Sequence, residues 1–298
     1  MRVNEISIIG LGLIGTSLAR GVKKYGFASR VIGVDKKEEH AIQAREAGYI
    51  DEVVDMQRAC LSDVVVVAAP VDVAGVLVME ALDKSGENTI VIDVCSTKKN
   101  IVDMVASHPA HHRFVPTHPM AGTENSGPMA SLEDLFYAHT VIVLPYPDAD
   151  VEKVKLIEGM YEMLGAEVVQ MTPSAHDESV AYVSHISHIS SYALALTVLN
   201  KERSQENIMH LAGGGFASTA RLAKSSPDMW VPIFTENREA IIDVLDEYIE
   251  NVILFKHAIK SANADVVRTL ITQANRVRGV LEEKEKKSKK VAFLQKKL

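Results

Sequence analysis

Cysteine and long apolar runs are scarce in this chain, and each scarcity excludes a class of protein. Among 298 residues there are 2 cysteines. Cys60 and Cys95 are too few for a disulfide framework and lack the spacing of a metal site, which fits a reducing compartment. The apolar run Ile6–Ile14 is broken by glycines, is too short to cross a membrane, and lacks the basic start of a signal peptide. We therefore expect a cytoplasmic protein with no membrane partner.

An excess of positive charge is also absent. The formal net charge of -7 argues against a general nucleic-acid surface. The carboxyl-terminal segment Glu282–Leu298 is rich in lysine, but glutamates are interspersed, so we expect a solvated, frayed helix there. Hydrophobic residues make up 47% of the chain, and its length allows two domains, each with its own core.

The first forty residues carry a strand, a glycine-rich turn, a helix and a second strand in that order. The strand Glu5–Ile9 leads into a Gly-x-Gly-x-x-Gly turn, and the second strand, Val31–Val34, ends at Asp35. This arrangement is the dinucleotide-binding fingerprint. The cofactor contacts predicted in the turn are Gly10, Gly12, Leu13, Ile14 and Gly15.

Each glycine of the turn has a predicted role. Gly10 permits the tight turn, Gly12 lets the backbone approach a pyrophosphate, and Gly15 lets the helix pack on the strand. Amide groups at the start of the helix supply donors to the phosphates. Asp35 is expected to accept hydrogen bonds from the adenosine ribose and to repel a 2′-phosphate. NAD is therefore the expected cofactor, although two lysines follow Asp35 and soften the preference over NADP.

Strand and helix patterns alternate up to about residue 171, which predicts a doubly wound parallel sheet of the Rossmann type. Two continuous apolar runs, Asp63–Ala69 and Thr89–Val94, are typical of strands buried on both faces. Pro70 closes the first run near the adenosine side of the cofactor site. We expect the strand before Ser96 to lie beside the glycine-loop strand, and the strand before His118 to lie next in the sheet.

His118 is the central candidate residue. It follows a short strand pattern, and Pro119 pushes its backbone into an extended conformation. Because ligands bind at the carboxyl edge of an open α/β sheet, His118 should face the same crevice as Gly12 and Ser96. A loop histidine without a function is the alternative for this segment taken alone.

No metal site is expected. His108, His111 and His112 lie close together, but no carboxylate or cysteine accompanies them at ligand spacing. We expect these three side chains to lie in a solvated turn.

From Pro173 onward the strand patterns stop, which predicts a cofactor domain over residues 1–172 and an all-α domain over residues 173–298. Ser174–Leu199 forms one long helical pattern rich in small residues. His185 and His188 share a face of it, and one of them is expected to line the crevice opposite His118.

Two apolar seams in the last helices predict a homodimer. Their residues are spaced alternately four and three apart, as in a coiled coil, and exceed what one small domain needs. The seams comprise Ile241, Leu245, Tyr248, Val252, Phe255 and Ile259, followed by Val267, Leu270, Ala274, Val277 and Leu281.

Six segments, spread over nearly the whole length of the chain, carry a resemblance to a known family. They are Ile8–Gly15, Asp93–Lys98, His118–Glu124, Val183–His188, Gly213–Phe216 and Arg221–Trp230. In these segments the chain resembles the prephenate and arogenate dehydrogenase family. The resemblance implies NAD-dependent oxidative decarboxylation of prephenate to 4-hydroxyphenylpyruvate, a step of tyrosine biosynthesis.

The resemblance also implies site residues. His118 would take the proton of the ring 4-hydroxyl as hydride leaves, and Ser96 would orient that hydroxyl. Arg221 would bind a substrate carboxylate. The other implied substrate contacts are His188, Thr123, Glu124 and Gly214.

Three alternatives stay open. Arogenate carries an amino group where prephenate has a keto group. Glu124 could be an acidic partner for that amino group, but a plain cationic pocket needs none, which favours prephenate. A β-hydroxyacid dehydrogenase is the second alternative, because that group shares the plan of a Rossmann domain followed by helices. Resemblance to that group would imply a lysine on the long central helix, whereas Leu156–Asn200 contains no lysine or arginine. A non-catalytic NAD-sensing dimer would need no convergence of Ser96, His118 and Arg221.

Overall fold

The computed structural model describes residues 2–123, 125–202 and 208–283. The chain divides into two compact units, Met1–Ala240 and Ile241–Leu298. The lysine-rich segment from residue 284 onward and Glu124 lie outside the described residues. None of the described helices is long and apolar enough to cross a membrane.

The first unit contains a sheet of eight strands within the described residues, in the order β3-β2-β1-β4-β5-β6-β7-β8. Strands β1 to β6 are parallel, β7 is antiparallel to β6, and β8 is parallel to β7. The strands are β1 (Val3–Ile9), β2 (Ala28–Val34), β3 (Glu52–Val53), β4 (Val64–Val67), β5 (Ile90–Asp93), β6 (Phe114–Pro119), β7 (Thr140–Val143) and β8 (Glu167–Gln170).

Ten described helices lie within the first unit, and two more follow. The ten are α1 (Leu13–Lys24), α2 (Glu38–Glu46), α3 (Met56–Ala59), α4 (Val71–Lys84), α5 (Lys99–Val105), α6 (Val151–Met163), α7 (Pro173–Val180), α8 (Ile186–Glu202), α9 (Gly214–Thr219) and α10 (Pro227–Glu236). They are followed by α11 (Arg238–Lys260) and α12 (Ala264–Ala274). Thr172 is the N-cap of α7, since its side chain accepts a hydrogen bond from the Ala175 amide. The domain boundary predicted at residue 172 therefore falls at the start of this helix. The division into two domains at that residue stays a prediction.

Both faces of the sheet are covered, as the apolar strands predict. One core cluster includes Leu18 of α1 and Tyr161 of α6, and the other includes Val78 of α4 and Trp230 of α10. The four valines of β4 between them are fully buried. The predicted fold class, a doubly wound sheet followed by helices, is confirmed. The reversed direction of β7 is a difference, and it arises because the described residues between β6 and β7 include no α-helix that could carry a parallel crossover.

One expectation about the strand order is wrong. The strand beside β1 is β4, and β5 lies one place further out, between β4 and β6. The cause is β3, which has 2 residues and leaves no recognisable pattern. In the usual Rossmann order the fourth strand lies beside the first. When β3 goes unrecognised, β4 is counted as the third strand and β5 as the fourth, so β5 is wrongly placed beside β1. Pro70, which follows β4, therefore lies at the switch point beside the glycine loop.

The expectation of a solvated histidine turn is also wrong for two of its three residues. His108 is 7% exposed, and its Nε2 lies 3.0 Å from a carboxylate oxygen of Asp83. His111 is partly buried, with its Nε2 2.8 Å from Asp148. Only His112 of the three is exposed. These carboxylates lie 25 and 37 residues away in the chain, so local spacing did not reveal them.

Candidate active site

The turn between β1 and α1 leaves room for a ligand at one glycine and none at the other two. Gly10 has φ 103°, which favours glycine, and a Cβ on Gly10 or Gly15 would overlap a backbone carbonyl oxygen. A Cβ built on Gly12 meets no described atom within 4 Å. The first amides of α1, including those of Leu13 and Ile14, have no partner within the helix.

Asp35 is fixed beside this turn at the end of β2. One of its carboxylate oxygens accepts the Leu11 amide at 2.7 Å, and the other accepts the Lys37 amide at 2.8 Å. Each oxygen has two acceptor lone pairs, so both can still accept a hydroxyl. An open glycine, free helix amides and a fixed carboxylate together fit the pyrophosphate and ribose of a dinucleotide.

His118 lies where the sheet changes partners. The first half of β6 pairs with β5, as far as Asp93 opposite Pro116, and the second half pairs with β7, with His118 opposite Ile142. Its backbone therefore lies beyond the end of β5. The expectation that His118 shares a crevice with Gly12 and Ser96 stays a prediction. Burial, together with His176, Lys98 and His185, holds the pKa of His118 well below the ordinary value of 6.5. The imidazole is neutral at pH 7.

A second histidine and an aspartate continue from His118 in a chain of short hydrogen bonds. The His118 Nδ1 lies 2.7 Å from the His176 Nε2, and the His176 Nδ1 lies 2.7 Å from an oxygen of Asp177. His176 and Asp177 are both buried, in the first turns of α7. The sequence analysis missed both residues.

The start of α5 anchors Asp177. The amides of Lys98 and Lys99 donate to its two carboxylate oxygens at 2.8 and 2.9 Å. The Asn237 side chain donates to the Asp177 carbonyl at 2.8 Å. The start of α5 thus holds the carboxylate of Asp177, and Asn237, just after α10, holds its backbone.

Lys98, whose amide binds Asp177, also takes part in a fully buried ion pair. The Lys98 ammonium donates to the Asp93 carboxylate, and neither side chain is exposed to solvent. Asp93 also accepts the Cys95 amide at 3.0 Å and the Thr117 amide at 3.3 Å. Its carboxylate therefore joins β5 to the residue that precedes His118.

The long helix predicted over Ser174–Leu199 is interrupted by a π-helical turn, Ala181–His185. The wider turn shifts the helical phase, so His185 points inward and is 1% exposed. Its Nδ1 lies 3.1 Å from the Asn237 side-chain nitrogen. Burial lowers the pKa of His185 from 6.5 to about 4.

His188 stands on the other side of His185, stacked on Trp230. The two ring centroids are 3.5 Å apart, and the interplanar angle is 27°. The Trp230 Nε1 is buried and has no hydrogen-bond partner among the described residues. Burial lowers the pKa of His188, and the nearby Arg221 charge lowers it further. His188, Trp230 and Arg221 therefore form a second set of polar groups, with His185 between the two sets.

The remaining predicted site residues are less constrained. Ser96 is half-buried in the loop after β5. Thr123 is half-buried, and its hydroxyl accepts the Asn125 amide at 3.2 Å. Gly214 is exposed at the start of α9, and a Cβ there would meet no described atom within 4 Å. Glu124 lies outside the described residues.

Two family models match the chain. One, described as prephenate dehydrogenase, nucleotide-binding domain, matches residues 18–170. The other, described as prephenate dehydrogenase, dimerization domain, matches residues 172–273.

Individual relatives match over most of their length. The cyclohexadienyl dehydrogenase of Zymomonas mobilis is 32% identical, covering 93% of this chain and 96% of that one. The prephenate dehydrogenase of Bacillus subtilis is also 32% identical, covering 88% of this chain and 72% of that one.

Solved structures give the same result. The prephenate dehydrogenase from A. aeolicus in complex with hydroxyphenyl propionate and NAD+ superposes with a TM-score of 0.87 at 28% identity, covering 94% of this chain and 99% of that one. The Synechocystis arogenate dehydrogenase superposes with a TM-score of 0.76 at 26% identity, covering 93% and 99%.

Proposed function

The chain belongs to the prephenate dehydrogenase family of NAD-dependent oxidoreductases, and we propose that it oxidatively decarboxylates prephenate to 4-hydroxyphenylpyruvate in tyrosine biosynthesis. The observation that carries the proposal is His118. It is a buried imidazole near the carboxyl end of β6, neutral at pH 7, and it would take a proton from a substrate hydroxyl.

The cofactor is NAD, and its nicotinamide supplies the hydride acceptor for this reaction. Gly10, Gly12 and Gly15, with the first amides of α1, would hold the pyrophosphate. Asp35 would accept the ribose hydroxyls, and Pro70 would lie against the cofactor at the switch point.

His118 provides the proton acceptor. As the C4 hydrogen of the ring leaves as hydride, the His118 Nε2 takes the proton of the 4-hydroxyl, and the C–O bond becomes a carbonyl. Loss of CO₂ from the opposite ring carbon then aromatises the ring and leaves its electron pair on that oxygen. The same proton returns from His118 to the phenolate, so the reaction consumes no net proton. Ser96, in the loop after β5, would orient the hydroxyl.

The second polar set would bind the acidic side chain of the substrate. Arg221 provides a positive charge, and the Trp230 Nε1 is a buried donor without a partner in the described chain. His188, stacked on that indole, completes the set. Gly214, Thr123 and Glu124 are the remaining proposed contacts. The A. aeolicus relative holds hydroxyphenyl propionate, which carries a phenol and a side-chain carboxylate, as the proposed product 4-hydroxyphenylpyruvate does.

Arogenate is the second candidate substrate. The observation that favours it is the similarity to the Synechocystis arogenate dehydrogenase. Arogenate needs an acceptor for an ammonium group, whereas Arg221 and the Trp230 N–H are donors. We therefore favour prephenate.

We also propose a homodimer formed through the last two helices. Of the first seam, Tyr248, Val252 and Ile259 on α11 are 41%, 49% and 66% exposed, and of the second seam, Val277 and Leu281 are 55% and 53% exposed. Apolar side chains of this size in one stripe are typical of a surface that another chain covers. The matching family model is that of a dimerization domain. The proposed location is the cytoplasm, since both cysteines are buried free thiols.

The direct test is to mix the purified protein with NAD and either prephenate or arogenate, and to follow the absorbance of the reduced cofactor. We expect reduction with prephenate at a higher kcat/KM than with arogenate. If neither compound reduces NAD, the catalytic proposal fails and a non-catalytic NAD-binding role replaces it.

A further inference from the structure

We propose that His176, held by Asp177, fixes the tautomer of His118 so that the His118 Nε2 is free to accept a proton. His176 and Asp177 are then positioning residues, which act on the substrate only through His118. The inference rests on the proposed function, in which His118 is the proton acceptor.

The direction of the hydrogen bonds follows from the acceptor at the end of the chain. One oxygen of Asp177 is 2.7 Å from the His176 Nδ1 and also accepts the Lys98 amide at 2.8 Å. The other oxygen accepts the Lys99 amide at 2.9 Å. Both oxygens thus accept backbone N–H groups, as an ionised carboxylate does, and an ionised carboxylate has no hydrogen to donate. Asp177 is therefore an acceptor toward His176, and the His176 Nδ1 carries the hydrogen.

The position of the hydrogen on His176 determines the position of the hydrogen on His118. A neutral imidazole has one N–H and one lone pair, so the His176 Nε2 is an acceptor once its Nδ1 donates. The His118 Nδ1, 2.7 Å away, must then be the donor. In neutral His118 the remaining nitrogen, Nε2, bears the lone pair. Burial lowers the pKa of both His118 and His176, which keeps each ring in the neutral form.

The carboxylate that sets this direction is held rigidly. Its two backbone donors belong to the start of α5, and the Lys98 side chain is itself fixed by the buried pair with Asp93. The Asn237 side chain holds the backbone of Asp177. The charged and titratable groups around the two rings are Asp93, Lys98, Asp177 and His185.

The arrangement also stabilises the proton after transfer. When Nε2 of His118 takes the proton, its Nδ1 keeps the hydrogen bond to His176, and the Asp177 carboxylate polarises that bond toward the positive ring. A carboxylate plays this orienting role directly in serine protease triads. Here one imidazole stands between the carboxylate and the base.

The test compares two substitutions of one residue. In His176→Gln, the side-chain oxygen can accept from the His118 Nδ1 while its NH₂ donates to Asp177, so the direction is preserved. His176→Phe keeps a ring of similar size but has no acceptor. We expect kcat with prephenate to fall about 10²-fold in the Phe variant, less than the ~10⁴-fold known for a wrong tautomer in a serine protease. We expect the Gln variant to stay within about threefold of the unmodified enzyme, because its donor and acceptor pattern is preserved.

A spectroscopic measurement tests the tautomer without substrate. In protein with ¹⁵N-labelled histidine, the ring signals of His118 are assigned by their loss in His118→Asn. We expect Nδ1 to be protonated and Nε2 unprotonated in the unmodified protein and in His176→Gln, but not in His176→Phe. His108→Gln is the matched control, since it removes a buried histidine paired with a different aspartate, Asp83, and it should change neither kcat nor the His118 signals.

Three results would overturn the proposal. They are an Nε2-protonated His118 in the unmodified protein, a Phe variant with full kcat, or equal kcat losses in the Phe and Gln variants, which would indicate packing alone. If the Phe variant does not fold, the Gln variant and the ring signals of the unmodified protein still decide. Failure of the unmodified enzyme to reduce NAD with prephenate would instead reject the proposed function, because the ring signals do not depend on turnover.

Discussion

At the scale of single residues, the base is prepared by its surroundings before any ligand arrives. Burial and three neighbouring nitrogenous groups lower the pKa of His118, so the imidazole needs no deprotonation at pH 7. The ordinary cost of burying a polar ring is offset by its 2.7 Å hydrogen bond to His176. Proton acceptance should therefore depend on this one ring.

His118→Asn tests that dependence. Asparagine keeps a polar side chain of similar length but cannot take the proton, so kcat should fall by about 10²–10⁴-fold. The affinity for NAD, measured by calorimetry, should be unchanged, because the glycine loop and Asp35 are untouched. His112→Asn, at an exposed position, is the control. A His118 variant with normal kcat would exclude His118 as the base.

The buried histidines also make stability depend on pH. His185 has a pKa of about 4 in the folded chain against 6.5 as the reference value. Between these values the unfolded state binds a proton that the folded state does not, so stability is complete above pH 6.5 and is lost as the pH falls toward 4.

His185→Gln should reduce this acid sensitivity. Glutamine can still accept from Asn237 but has no proton to bind, so the slope of unfolding free energy against pH should decrease by up to about 1.4 kcal/mol per pH unit in that window. Urea denaturation at several pH values measures the slope. His112→Gln, which removes an exposed ring, should leave it unchanged. An equal slope in the unmodified protein and the His185 variant would mean that His185 is already protonated in the fold.

At the scale of elements, contiguous patterns were predictable and pairings between distant segments were not. The strand, glycine turn and helix of residues 5–22 are adjacent in sequence, and their fingerprint depends only on local chemistry. The strand order depended on β3, which has 2 residues and no apolar run of its own. The error in the position of β5 followed from that one short strand.

In the candidate site, too, the residues marked by local sequence were predictable and those that depend on contacts between distant segments were not. His118 could be found because a proline fixes its backbone at a strand end. His176 and Asp177 could not, because their role depends on the packing of α7 against α5. The inward position of His185 depends on a π turn that helical periodicity does not reveal. A possible signal was the adjacent histidine and aspartate one turn after a helix cap, at Thr172.

The cofactor preference belongs to this scale, because Asp35 joins β2 to the glycine loop through the Leu11 amide. Asp35→Ser removes the negative charge that opposes a 2′-phosphate, so the ratio of kcat/KM for NAD to that for NADP should fall. Asp51→Ser is a matched control, since Asp51 accepts a backbone amide of the same strand, that of Val31, at 2.7 Å. An unchanged ratio in the Asp35 variant would remove Asp35 from the cofactor site.

At the scale of the whole molecule, composition and periodicity predicted a sheet domain followed by helices, and the fold agrees. The assembly could not be read in the same way. The seam residues Ile241 and Val252 have the same apolar character, yet the first is buried and the second is 49% exposed. Only the folded structure shows which residues of a seam remain exposed to solvent and are therefore accessible to a second chain.

Val252→Glu tests the proposed dimer on that exposed part. A glutamate at the position would be buried without a partner if a second copy covers it, which costs several kcal/mol and should shift the mass from dimer to monomer. Leu245, also in the seam, is half-buried within the chain and would confound loss of folding with loss of assembly. Glu250→Lys changes a charge on the polar side of α11 and should leave the dimer intact. Light scattering at micromolar concentration measures both masses, and circular dichroism verifies that both variants fold. A folded Val252 variant with the mass of a dimer would show that this stripe is not the interface.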